Sequence, residues 1–307
     1  MPERLAAIDI GTNTVLLLVA ERDGGRLAPL LERAEITRLG RGVDATGRLD
    51  PAAIAETAAV VGDYVRSARA LGVERFACVA TSAARDASNG AAFFEAVQRA
   101  AGLQPTVISG QEEARLVYES AWRDFGVAGA GLAVLDVGGG STEFIAGDGP
   151  APRGRTSLQV GAVRLTERHV RGDPVSGAEL AALRDGARQA LRPLAAMAPP
   201  AGGRLVGVAG TVTTLSAVAQ ALPVYDAARV HGAPLALAEI EALVVRLAAL
   251  PVAARAALPG MEPKRADVIL AGALVVAEAM RATGFDRLTV SDRGVRWGLL
   301  HDLAGRR

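Results

Sequence analysis

Apolar positions along this chain follow two rhythms, and the order in which they alternate occurs twice. The runs at 5–10 and 14–21 flank GTNT and read as a hairpin, with a third strand at 27–36. Helical spacing takes over at 50–71, where Asp50 stands as N-cap and Pro51 occupies the first helical position. A strand at 75–80, a helix at 89–102, a strand at 106–108 and a helix from 110 to about 123 complete the first series. The order β-β-β-α-β-α-β-α predicts helices packed on a mixed sheet, an α/β class.

From Gly131 the series begins again with a strand, a glycine turn, a second strand, and a third at 156–160. Helices are expected at 177–197, 212–221, 238–249 and 263–282, with strands at 204–208 and 287–290 between them. AMAPPAGG, around Pro199 and Pro200, reads as a loop because the strand LVGVAG follows at once. The glycine-bearing connector at 125–130 marks the expected boundary, giving domains of 1–125 and 126–307.

The two glycine turns superpose without gaps. Asp9-x-Gly11-x-x-Thr14 matches Asp136-x-Gly138-x-x-Ser141, each between apolar runs of similar length. Without bulky side chains, the backbone amides at Gly11, Thr12 and Asn13, and at Gly138, Gly139, Gly140 and Ser141, can approach an anion closely. The aspartate at each strand end adds a hard oxygen ligand for a cation neutralising that anion. Tight hairpins alone would explain one such turn, but two in register point to phosphate binding from both halves.

Composition narrows the classes. The chain has 307 residues, half of them hydrophobic, so it can bury two modest cores. A net charge of +1, with 22% charged residues, supplies no broad field for nucleic acid or a membrane surface. No run approaches the ~18 apolar residues of a membrane span, and Asp9 and Asn13 interrupt the only stretch resembling a signal peptide. A cytoplasmic location is expected. Cys78, the single cysteine, excludes an internal disulfide and reads as a strand residue. His169, His231 and His301 follow no ligand pattern.

Other segments supply further pieces. VGVAGTVTTL leaves a strand and enters a helix near Val212, so Gly210 and Thr211 offer amides at a helix N-terminus, with Thr211 as the expected N-cap. ATSAARDASNG places Arg85 and Asp86 in a polar loop beyond a strand end, where Arg85 is a candidate phosphate fork. Arg33, Arg38 and Arg41 are weaker candidates. In ISGQEEARLVYESA, Ser109 and Glu112 form a capping box, Glu112 reaching back to the Ser109 amide. Glu113, ~100° further round the helix, is left free for chemistry. Glu143 follows the second turn directly and can join Asp136 around a divalent cation.

DIGTNT, TSAARDASNG, ISGQEEARLVY, LDVGGGSTEF, VAGTVTTL, RVHG and SDRGVRWGLL come in the order seen in the exopolyphosphatase / guanosine pentaphosphate phosphatase family, which the chain resembles over essentially its whole length. The resemblance implies two ribonuclease-H-like domains of the actin-like, sugar-kinase-like superfamily with an interdomain cleft. It implies hydrolysis of a terminal phosphoanhydride with Mg²⁺, or Mn²⁺ in its place. It puts the catalytic glutamate at Glu113, the metal and phosphate turn at Asp136, Gly138 and Glu143, and the phosphate-loop arginine at Arg85. Longer members continue into C-terminal helical domains that this sequence does not include, so short polyphosphate, with guanosine pentaphosphate, is the expected substrate. A kinase of the same superfamily and a non-catalytic alarmone-binding regulator are the rival readings; phosphate release without an acceptor separates them from a hydrolase. The partners expected are a small or short polymeric phosphate, neither nucleic acid nor membrane, with a homodimer left open.

Overall fold

The first apolar run becomes β1 (Glu3–Ile10), antiparallel to β2 (Thr14–Asp23), which pairs in turn with β3 (Arg26–Ile36). The computed structural model describes residues 3–24, 26–197 and 202–305; the loop expected at Pro199 and Pro200 lies outside them. A one-turn helix α1 (Val43–Thr46) leads to α2 (Pro51–Ala70). Asp50 caps α2 as its sequence requires, accepting the Ala52 and Ala53 amides at 2.8 and 3.1 Å. Ile54, Ala58, Val61, Val65 and Ala68 recur at helical spacing on the buried face of α2.

The chain then adds β4 (Arg75–Ala80), parallel to β1, followed by α3 (Ser82–Asp86), α4 (Gly90–Ala101) and β5 (Thr106–Val107). Gly62 lets α4 lie close against α2, since a Cβ there would stand 2.7 Å from the Ala100 carbonyl oxygen. Helix α5 (Gly110–Phe125) follows. Among the described residues the first sheet is five-stranded, in the order β3-β2-β1-β4-β5.

The second series is β6 (Leu132–Val137), β7 (Thr142–Gly147), β8 (Gly154–Leu158), α6 (Ala162–His169), α7 (Gly177–Leu191), β9 (Arg204–Val208) and α8 (Ala209–Ala219). It continues through α9 (Ala227–Val230), β10 (Pro234–Ala236), α10 (Leu237–Ala248), α11 (Val252–Ala256), α12 (Ile269–Thr283) and β11 (Arg287–Val290). Its six strands run β10-β11-β9-β6-β7-β8 among the described residues. Apart from the added β10, this repeats the first sheet: an antiparallel three-strand meander, then strands parallel to its first member.

Helix α12 is apolar nearly all round and buried over most of its length, which is what such a sequence requires. Leu270, Leu274, Val275 and Val276 each contribute roughly 1.5–3 kcal/mol by leaving water. The one acid in this setting, Glu278, is offset by Arg184 at 2.7 Å and Arg281 at 2.8 Å.

The compact units are not the expected 1–125 and 126–307. One comprises Met1–Leu116 together with Val295–Arg307, the other Val117–Gly294. The difference comes from α13 (Val295–Gly305), which packs on β1, β2 and β4 of the first unit. Gly298 makes that packing close: a Cβ would stand 2.3 Å from the Leu116 carbonyl oxygen. The glycine connector at 125–130 is a turn inside the second unit.

Candidate active site

In the first unit, the chain leaves β1 at Asp9 and Ile10 and turns through Gly11, Thr12 and Asn13. The Gly11 amide donates to the Thr14 carbonyl at 3.0 Å. A Cβ at Gly11 would lie 3.1 Å from that same oxygen, so the tightness of the turn selects glycine. The Gly11 amide is therefore spent inside the turn, a correction to its expected role as an anion donor. Thr12 and Asn13 present their carbonyls to the segment after β3: Gly40 donates to Thr12 at 2.8 Å, Thr37 and Arg38 to Asn13 at 3.1 Å.

Asp9, Thr12 and Asn13 are all buried. Asp9 Oδ1 and Asn13 Nδ2 are shielded from water yet have no hydrogen-bond partner. Burial pushes the Asp9 carboxyl up from 3.8 to about 7, while the Arg296 guanidinium on α13 pulls it the other way. Desolvation also pushes the Cys78 thiol, on β4, up to about 12, with the Asp9 charge adding to it, so it stays a thiol. Arg296, which is bonded to Glu32, was visible in SDRGVRWGLL, but nothing local in that string shows that its charge acts on Asp9.

Arg85 and Glu113, 28 residues apart, meet in this unit: Arg85 Nη1 lies 3.5 Å from Glu113 Oε2 and donates to the Ile108 carbonyl at 2.9 Å. Arg85 Nη2 is buried with no partner. The segment expected as a polar loop is instead the short helix α3, whose last turn carries Arg85. Glu113 is 8% exposed, in the first turn of α5. Ser109 Oγ accepts the Glu112 amide at 3.1 Å, as the capping box requires. The Glu112 carboxylate, however, is gripped by Arg115 at 2.6 and 3.0 Å rather than turned back to Ser109. A guanidinium one turn on offers two charge-assisted bonds where the Ser109 amide offers one neutral one. Glu112 thus belongs to a surface cluster with Arg115 and Asp302, and Glu113 faces Arg85.

The second unit repeats the turn. The Gly138 amide donates to the Ser141 carbonyl at 3.1 Å, and a Cβ at Gly138 would stand 3.1 Å from that oxygen. As at Gly11, this removes the Gly138 amide from the donor set. Asp136 and Glu143 are directly paired across β6 and β7, which puts both carboxylates on one face of the sheet. Both are buried, and Ser157, paired with Glu143 on β8, donates to its Oε1 at 2.7 Å. The first unit differs here, for Asp9 pairs with Leu16. The acidic pair exists in only one half.

The third turn departs from expectation in detail. Helix α8 starts at Ala209, with Val208 as N-cap, so Thr211 is a buried first-turn residue and not the cap. Its methyl packs toward Gly272, where a Cβ would stand 2.6 Å away. Ala209 adopts φ 71°, a left-handed conformation that is costly for a residue with a side chain and gathers at functional sites. The Arg265 guanidinium lies over Gly210, 2.3 Å from where a Cβ would be. Arg265 therefore joins Gly210 at the N-terminus of α8, and its place in the sequence, 55 residues later, gave no sign of it.

Comparison with known proteins identifies the family. The model of a family described as the Ppx/GppA phosphatase family matches residues 18–307. Exopolyphosphatase 2 of Mycobacterium tuberculosis is 41% identical, the match covering 98% of this chain and 99% of that protein. The crystal structure of the Aquifex aeolicus Ppx/GppA family member aligns with a TM-score of 0.82 at 34% identity, covering 100% of both chains. That of an exopolyphosphatase from Cytophaga hutchinsonii aligns with a TM-score of 0.90 at 24% identity over 99% of each chain, a likeness of fold alone.

Proposed function

Because the chain belongs to the Ppx/GppA phosphatase family, we propose that it releases terminal orthophosphate from inorganic polyphosphate, short chains above all, and from guanosine pentaphosphate. The observation that carries this reading is the set of buried polar atoms without partners in the first unit: Asp9 Oδ1, Asn13 Nδ2 and Arg85 Nη2, the last on the arginine that meets Glu113. Each such atom costs about 1–3 kcal/mol while unpaired, a cost that a phosphoanhydride with its cation and water would offset.

Roles follow from the chemistry of the groups. Glu113 accepts a hydrogen bond from the attacking water and orients it, and Arg85 Nη2 takes up charge on the phosphoryl oxygens. The amides of Thr12 and Asn13, and those of Gly139, Gly140 and Ser141 in the second unit, add donors for phosphate oxygens, as do the α8 N-terminus at Gly210 and Thr211 and the nearby Arg265. Phosphoryl transfer passes through a loose transition state, so positioning and charge neutralisation make up most of the catalysis.

Asp136 and Glu143 fit a hard divalent cation: both are buried carboxylates, paired on one sheet face. Among the described residues no group of three or more histidine, cysteine or acidic side chains has metal-binding geometry, so water and substrate would complete the shell. That suits Mg²⁺, which usually keeps several waters, and Mn²⁺ can replace it. When bound, the ion would neutralise developing negative charge on the phosphate oxygens.

Phosphate release, with no acceptor present, over polyphosphates of graded length, guanosine pentaphosphate and ATP tests the proposal. A net charge of +1 supplies no strong overall field to hold a long polyanion, so kcat/KM should level off at short lengths, with ATP poor. A kcat/KM that climbs to hundreds of units with a steep salt dependence would refute the short-chain reading.

A further inference from the structure

The three glycine carbonyls of the second turn are claimed by one short segment. Gly138 O accepts the Ala162 amide at 3.0 Å, and Gly139 O accepts those of Val163 and Arg164 at 2.9 and 3.1 Å. The next carbonyl, Gly140 O, is held by a side chain, with Arg164 Nε donating at 2.8 Å. Arg164 is braced in turn by Gln159, whose Oε1 accepts from Nη2 at 3.0 Å. Gly161 permits the approach, because a Cβ there would stand 2.5 Å from the Gly139 carbonyl.

A trans peptide is planar, so its N–H points opposite to its C=O. Holding the carbonyls of Gly138, Gly139 and Gly140 therefore aims the amides of Gly139, Gly140 and Ser141 to the other side of the turn, as a nest for an anion. Main-chain amides hold the first two peptides, and only a proline would remove those donors. The third, between Gly140 and Ser141, is held by the Arg164 side chain. Glycine allows its ψ to rotate freely, so this peptide is the one able to flip when released.

We propose that Arg164 is a positioning residue that locks the Gly140–Ser141 peptide, so that the Ser141 amide is fixed toward the phosphate of a phosphoanhydride substrate. The inference rests on reading this turn as a phosphate site. Arg164 meets the turn at the Gly140 carbonyl, on the side opposite the Ser141 amide.

Backbone amide NMR on the full-length ¹⁵N-labelled protein, titrated with orthophosphate, separates the two ideas. In the wild type the Gly139, Gly140 and Ser141 resonances should shift together. In Arg164→Met the Ser141 response should be lost or broadened by exchange while Gly139 and Gly140 still respond. Orthophosphate Kd should rise on the order of tenfold, as for loss of a charge-assisted hydrogen bond. Melting temperature without phosphate should stay close to wild type, because the stem of the side chain is kept. Arg164→Lys, which retains one donor, should recover the Ser141 response and most of the affinity. Unchanged Ser141 behaviour and unchanged Kd in Arg164→Met would overturn the lock, as would a lysine variant no better than the methionine one. Wild-type amides that ignore orthophosphate would instead refute the phosphate reading of the turn.

Discussion

Replacing Asp9 by asparagine should stabilise the protein, and by an amount that depends on pH. The carboxyl is 8% exposed, and burial raises it from 3.8 to about 7. A carboxyl raised on folding favours the folded state when protonated: its contribution is intact below pH 3.8 and is lost as pH rises through 7. The full loss is the difference between 7 and 3.8 multiplied by about 1.36 kcal/mol, or about 4 kcal/mol. Most of that should be seen at pH 8.5, and only about 2 kcal/mol at pH 5. Asparagine carries no charge to desolvate, so the gain of Asp9→Asn over wild type should grow by about 2–3 kcal/mol between those pH values. Urea unfolding of both proteins at pH 5 and pH 8.5, without phosphate or divalent cation, measures it. Phosphate release by the same variant should fall, since the charge that strains the fold is the one proposed to serve the ligand. A stability difference that does not change with pH, or a variant less stable than wild type at pH 8.5, would refute the reasoning.

Three substitutions test the remaining roles. Glu113→Gln should keep the fold and lose turnover by on the order of 10²-fold or more, as for an acid–base or water-orienting group. Glu112→Ala removes only the Arg115 fork at the surface, so denaturation should show under about 1 kcal/mol of destabilisation with activity kept; the opposite pattern would reverse the assignment of the two glutamates. Phosphate release should stop in excess chelator and return with Mg²⁺, and Asp136→Asn should raise the Mg²⁺ concentration for half-activity sharply, because a carboxamide keeps an oxygen but not the charge. Undiminished turnover in chelator would remove the ion from the mechanism.

Features encoded by neighbouring residues were legible in the sequence. The Asp50–Pro51 start of α2 and the tight turns at Gly11 and Gly138 depend on contacts within a few positions, and the strand at 75–80 showed in its own run of apolar residues; the structure has all of these elements. Features completed from far along the chain were not. Helix α6 has no side-chain cap; its first amides are satisfied by carbonyls of the glycine turn more than twenty residues earlier, so AVRLTERH shows no local start signal. Helix α13 carries Gly298 in its middle, which weakens the local signal, and the reason for that glycine is the backbone at Leu116. The candidate site divides the same way. Asp9, Arg85, Glu113, Asp136 and Glu143 stood out by type and place, whereas the nearness of Arg296 to Asp9 and of Arg265 to Gly210 exists only in the folded chain.

The return of α13 to the first sheet also sets an order of events during synthesis. Strands β1, β2 and β4 are complete by residue 80, but the helix that covers them begins at Val295. At about 5–20 residues per second, the ribosome needs about 10–40 s to cross that interval. The second unit is contiguous, Val117–Gly294, and can close as soon as it has emerged. The unit made first is therefore the one finished last. For tens of seconds the side of β1 destined for α13 is nascent-chain surface, open to a chaperone or to another copy in the same polysome.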